Sequence, residues 1–293
     1  VDAGFLLVDK EQGWTSHDVV AKARNAIGTK VGHAGTLDPM ATGLLILGLG
    51  RSTRLLRFVQ SFPKTYEATA VFGVATDTLD ADGAVIDRSP LPVTAEDLLP
   101  LVERFTGRIH QIPPMVSARK VEGRRLYELA REGKVVEREA RPVDIYDFEI
   151  LDIAPSDYPE VMFRVVCGSG TYIRTLADDL ARALGGRAHL SSLRRTSNGS
   201  LHVADARPVA SIVEAAARRT LDTVIVSPSL ALGDLPGFTL DPEFARAVRS
   251  GAAIPAASVD APDGSLVRLL DVDDLLGVYR VDGPRVRAEV VTV

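Results

Sequence analysis

The chain has 293 residues, of which 46% are hydrophobic and 25% charged, with a net charge of −5. It is long enough for two domains and a sizeable core, and its composition is ordinary for a folded globular protein. No apolar run approaches the ~18 residues that span a bilayer, and the opening Val1-Asp2-Ala3-Gly4 lacks the basic start and apolar core of a secretory signal. Cys167 is the sole cysteine, so no internal disulfide is possible. A reducing cytoplasm is the expected compartment, and Cys167 is expected to be a small buried strand residue.

In chain order, residues 5–9 read as a short strand, and Ser16 reads as the cap of a helix running to about Ile27, with Gly28 at its end. Next comes Gly32-His33-Ala34-Gly35-Thr36-Leu37-Asp38-Pro39-Met40-Ala41-Thr42-Gly43. Asp38 precedes a proline, which pushes it out of the helical region. The glycines Gly32, Gly35 and Gly43 permit turns and close approaches that other residues resist. Apolar Leu37 and Met40 flank the acid, and Leu44-Leu45-Ile46-Leu47 reads as a buried strand. An acid on a rigid turn at the mouth of a core strand suits chemistry on a bound substrate. A turn aspartate that only bonds its own backbone fits the same spacing.

Ser52 reads as the cap of a short helix over 53–60, and residues 66–74 form a strand rich in aromatic and β-branched residues. Thr94 opens a helix that Gly107 closes, and a second short helix covers 123–132. Strands at 141–152 and 161–166 flank the turn Ala154-Pro155-Ser156-Asp157. Helices follow at 171–184 and 209–219. The stretch 227–237 is the best linker candidate. Beyond it lie a helix at 242–249 and strands at 266–270, 276–281 and 286–293. The pattern is that of an α+β fold, a mixed, largely antiparallel sheet with flanking helices. The expected domains are 1–232 and a small β-rich one at 238–293.

Charge is uneven along the chain. Residues 104–125 carry a balance of +5, residues 180–196 hold four arginines and no acid, and residues 144–160 hold six acids and no Lys or Arg. Such asymmetry is what an anionic ligand on one side would require, although charge runs also arise as solvated faces. Other chemistries fit poorly. Gly48-Leu49-Gly50-Arg51-Ser52-Thr53 lacks the lysine and spacing of a phosphate loop. Asp77-Thr78-Leu79-Asp80-Ala81-Asp82-Gly83 has the wrong acid spacing for a calcium loop and reads as a polar turn. The five histidines show no paired zinc spacing, and no serine sits in a nucleophile elbow.

The Gly32–Gly43 loop resembles the signature of the TruB-type tRNA pseudouridine synthases, and other stretches agree in order. Leu7-Val8-Asp9-Lys10-Glu11-Gln12-Gly13-Trp14-Thr15-Ser16-His17-Asp18 is similar to that family's opening motif, and Lys64-Thr65-Tyr66-Glu67-Ala68 to its second. Gln111-Ile112-Pro113-Pro114-Met115-Val116-Ser117-Ala118 and Gly168-Ser169-Gly170-Thr171-Tyr172-Ile173-Arg174-Thr175-Leu176 resemble two more.

The resemblance implies a pseudouridine synthase catalytic domain followed by a PUA-like module. It implies an isomerase that converts uridine to pseudouridine at position 55 of the tRNA T-loop, by base flipping and without cofactor or metal. In that scheme Asp38 is the nucleophile, Arg174 the cation paired with it, and Tyr66 the residue stacked on the target base. His33 would occupy the vacated stack, Tyr172 and Leu193 would line the pocket, and Lys10 would support the catalytic loop. The alternative roles are bracing of the loop for His33, packing for Tyr172 and Leu193, and a solvated charge for Lys10. A monomer that needs no protein partner and no membrane is the expectation.

Overall fold

The computed structural model describes residues 3–115, 120–121, 124–125 and 138–292. The chain divides into two compact units. One comprises Val1–Asp38, Gly43–Phe62 and Asn198–Val293, the other Pro39–Thr42 and Pro63–Ser197. Among the described residues, no helix is long and apolar enough to cross a membrane.

In the first unit, strand Ala3–Lys10 runs antiparallel to Thr42–Gly50, with Ala3 opposite Gly50 and Lys10 opposite Gly43. Short strands Val31–His33 and Arg207–Pro208 flank this pair. Leu44, Leu45, Ile46 and Leu47 are all fully buried, as expected of a strand covered on both faces. Helix Ser16–Ile27 begins one residue earlier than expected. Its cap is Thr15, because the capping box needs an acid three residues on, and Asp18 meets that requirement. Gly28 ends it at φ 72°. Ser52 does not cap a helix either: its hydroxyl accepts from Gly4 N at 2.9 Å, and residues 51–54 form a 3-10 turn. The stretch read as a linker contains a one-turn helix, Pro228–Ala231, and both Ala231 and Leu232 are fully buried beside Phe5, Leu44 and Ile46.

The same unit holds a five-stranded sheet in the order Gly237–Thr239, Leu266–Asp271, Asp274–Asp282, Arg285–Val291, Ile254–Pro255. Its strands serve two faces, and a register shift where Leu269 and Leu270 oppose Gly277 and Leu275 interrupts the alternation in the long strand. Val267, Leu269, Leu276 and Val286 pack with Val248 of helix Pro242–Arg249, whereas Leu275, Val278 and Val290 join the core around Phe5.

In the second unit the strand order is Ala188–Asn198, Lys64–Phe72, Glu160–Cys167, Arg141–Ala154, Gly107–Gln111. The last three pairings in this series are antiparallel. The Tyr66 strand stops at Phe72, two residues short of expectation. Gly73 (φ 81°) turns the chain there, and a side chain at that position would lie 2.5 Å from Ser89 O. Helix Ala95–Arg104 is capped by Thr94 with Asp97 as its box partner, and Gly107 opens a strand rather than closing the helix. Cys167 is fully buried at the end of its strand, and burial pushes its thiol up to about 11.

Strand Ala188–Asn198 was not expected from the sequence, because Arg194-Arg195 read as exposed charge. Arg195 is in fact 1% exposed. Arg182 and Arg187 both pair with Asp178, so this arginine run is not a free cationic face. The helix expected over 123–132 lies outside the described residues except for Arg124–Arg125, which pair with Lys120–Val121 as a short antiparallel ladder.

Candidate active site

Three of the expected site residues belong to the first unit. Lys10 ends the first strand with its side chain fully buried, and its ammonium donates to Glu11 O at 2.9 Å and Trp14 O at 2.6 Å. These bonds shape the turn that leads into helix Ser16–Ile27. A buried cation costs free energy unless hydrogen-bonded, and carbonyl oxygens meet that need here. His33 ends strand Val31–His33, half-buried, and its ring meets that of His17 edge-on, with centroids 5.6 Å apart. The chain then leaves regular structure. Asp38 is half-buried in this loop, between Leu37 and Met40, which are each 3% exposed.

The remaining four lie in the second unit. Tyr66 is buried on strand Lys64–Phe72, on the face shared by Lys64, Ala68, Ala70 and Phe72. Leu193 is buried on strand Ala188–Asn198. Arg174 is the second residue of helix Ile173–Ala183 and is 3% exposed. Its Nη1 donates to Asp80 Oδ2 and to Thr78 O, each at 2.8 Å. A helix N-terminus disfavours a cation, and the Asp80 carboxylate offsets that cost. Asp80 is itself braced: its Oδ1 accepts from Thr78 Oγ1 at 2.5 Å and from Asp82 N at 3.2 Å. Leu79, next to it, adopts a left-handed φ of 64°, uncommon for a leucine, so the turn is held by its surroundings.

Tyr172 precedes that helix, half-buried. Its backbone is gripped by the buried side chain of Gln111, which accepts from Tyr172 N at 3.0 Å and donates to Tyr172 O at 3.3 Å. Lys64 Nζ donates to Ser169 Oγ at 3.0 Å, which ties the Tyr66 strand to the loop before the Arg174 helix. Burial, with Arg195 nearby, pulls the Lys64 ammonium down to about 8. A cavity of about 760 Å³ in this unit is lined by Thr175, Asp178, Asp179, Arg104, His110 and Ile112 among others, and by none of the expected site residues. Among the described residues, no cluster of three or more His, Cys, Asp or Glu could hold a metal ion.

Three contributors carry no local sign of their role in the sequence. Asp80 sat inside a stretch read only as a polar turn. Gln111 reads as part of a motif without a role, and Ser16 reads as a cap. Nothing local in the sequence links Asp80 to an arginine 94 positions away. The Thr15–Asp18 box, by contrast, was visible and would have freed Ser16 for another role.

Residues 22–173 match the family described as TruB family pseudouridylate synthase (N terminal domain). The tRNA pseudouridine synthase B of Mycobacterium sp. (strain KMS) is 42% identical over 303 residues, covering 100% of this chain and 97% of that protein. The protein of the same name from Ralstonia pickettii (strain 12J) is 40% identical, covering 98% of this chain and 93% of its own. Among solved structures, a chain in the crystal structure of a Cbf5-Nop10-Gar1 complex superposes with a TM-score of 0.77 at 27% identity, covering 98% of this chain and 84% of that one.

Proposed function

The chain belongs to the TruB family of pseudouridylate synthases, and we propose that it isomerises the uridine at position 55 in the T-loop of tRNA. The reaction breaks the N1–C1′ bond, turns the base and rejoins it through C5. It is redox-neutral and needs no external energy source. A stacked uridine must first be extruded, at a cost of a few kcal/mol.

Asp38 supplies the carboxylate that meets the extruded nucleoside, and Arg174 is the cation that keeps it ionised in an apolar loop. Tyr66 is the flat surface for the base, and His33 fills the space the base leaves. Tyr172 and Leu193 line the pocket, and Lys10 supports the loop from below. The observation that carries this reading is Arg174. A guanidinium at 3% exposure, gripped by Asp80 and Thr78 O, is a built electrostatic element rather than a surface charge. The tRNA assignment draws on relatives named for that substrate along the whole chain. The enzyme works in the cytoplasm as a monomer without a protein partner, and the C-terminal five-stranded sheet is the PUA-like module of residues 238–293.

Tritium release from [5-³H]uridine-labelled T-loop RNA tests the reading, followed by mapping of the modified base. Wild type is expected to release label from one uridine per RNA. Asp38→Asn is expected to abolish release while still binding the RNA. Undiminished release by Asp38→Asn would exclude the carboxylate from the chemistry.

A further inference from the structure

Helix Ser16–Ile27 is capped by Thr15, which leaves the Ser16 hydroxyl for another task. Ser16 is 1% exposed, and its Oγ makes two bonds to one residue 21 positions away: it accepts from Leu37 N at 2.9 Å and donates to Leu37 O at 3.1 Å. A hydroxyl has one proton to give and lone pairs to receive, so a single atom can serve both backbone groups of Leu37.

The consequence follows from peptide geometry. Leu37 O lies in the same rigid plane as Asp38 N, and Leu37 N lies in the plane before it. Fixing both groups restrains φ and ψ of Leu37, and with them the position of the Asp38 Cα from which the side chain starts. This matters because residues 34–41 have neither helix nor strand to set their course. Leu37 is also anchored from its other side, with its side chain 3% exposed. The next helical residue, His17, meets the His33 ring near the start of the loop. Behind both, Lys10 holds the Glu11 and Trp14 carbonyls and so sets the turn that delivers Ser16.

We propose that Ser16 is a positioning residue for Asp38, acting through the backbone of Leu37. The inference rests on the reading of Asp38 as the reacting carboxylate. Reacting groups displaced by ~1 Å lose rate by about a hundredfold, whereas substrate binding that depends on other surfaces does not change.

The test compares wild type, Ser16→Ala and Asp38→Asn with T-loop RNA as substrate, each assayed well below its own melting midpoint. Ser16→Ala is expected to lower kcat by between about tenfold and a hundredfold and to leave KM and RNA affinity within about twofold. An unchanged kcat in Ser16→Ala, with Asp38→Asn inactive, overturns the positioning role and leaves the reading of Asp38 standing. A loss confined to KM also overturns it, because Ser16 would then serve binding. Full activity in Asp38→Asn instead removes the reading beneath it, so the two failures are distinguishable.

Discussion

The Asp80 carboxylate lies 2.8 Å from the Arg174 guanidinium, with the two side chains 6% and 3% exposed. Water can replace neither partner at that depth. Breaking a buried ion pair from one side costs about 3–5 kcal/mol. Asp80→Ala is therefore expected to lose stability on that scale in urea unfolding, and to slow tritium release. A variant as stable as wild type would show that Arg174 is held by other means. Asp80→Asn keeps the shape and loses the charge, so it should also lose stability, from the charge alone and without a cavity.

Gln111 offers a milder case. Tyr172 O keeps its helical partner, Leu176 N at 3.0 Å, whatever happens to the glutamine. Tyr172 N loses its acceptor at Gln111 Oε1. Gln111→Ala should cost about 1 kcal/mol, because the half-buried Tyr172 N–H loses its acceptor, measured by chemical denaturation.

Lys64 should leave a signature at alkaline pH. Burial first, and Arg195 second, lower its ammonium from 10.5 to about 8 in the folded protein. Between those values the unfolded chain binds more protons than the native one, so this group makes stability rise with pH. Denaturation across that window should show wild type gaining on Lys64→Met as pH increases. Parallel curves would contradict the assignment.

Asp179 carries the opposite slope. Burial, with help from the neighbouring Asp178, raises its carboxyl from 3.8 to about 6. A raised acid stabilises the fold most when protonated, so its contribution is lost as pH climbs through about 6. Asp179→Asn should flatten that part of the stability profile and raise the melting temperature at neutral pH. A lower melting temperature at neutral pH would point to a structural role for the charge.

What could be read from the sequence divides by the range of the interaction. The Leu44–Leu47 strand, the αL glycine after Ile27 and the buried cysteine all follow from local pattern, and the structure has each of them. Ser16 and Ser52 read as caps because serine before an apolar run often is one, whereas their hydroxyls are engaged by the distant backbone of Leu37 and Gly4. Strand Ala188–Asn198 was hidden by Arg194 and Arg195, whose charge argues for solvent unless a tertiary neighbour is known. Asp80 shows the limit most clearly. Its partner is fixed by topology, and periodicity carries no information about that.

The first unit draws on both ends of the chain, Val1–Phe62 in large part and Asn198–Val293, while the second is nearly continuous from Pro63 to Ser197. On the ribosome, Phe5, Leu44 and Ile46 emerge long before Leu201, Leu232, Val278 and Val290, which cover them in the finished protein. A nascent polypeptide paused near residue 197 therefore displays an oily, half-built sheet, although the residues of the second unit have already been made. Late completion of this kind leaves apolar surface uncovered during synthesis, the condition under which folding intermediates aggregate, until residues 198–293 bury it.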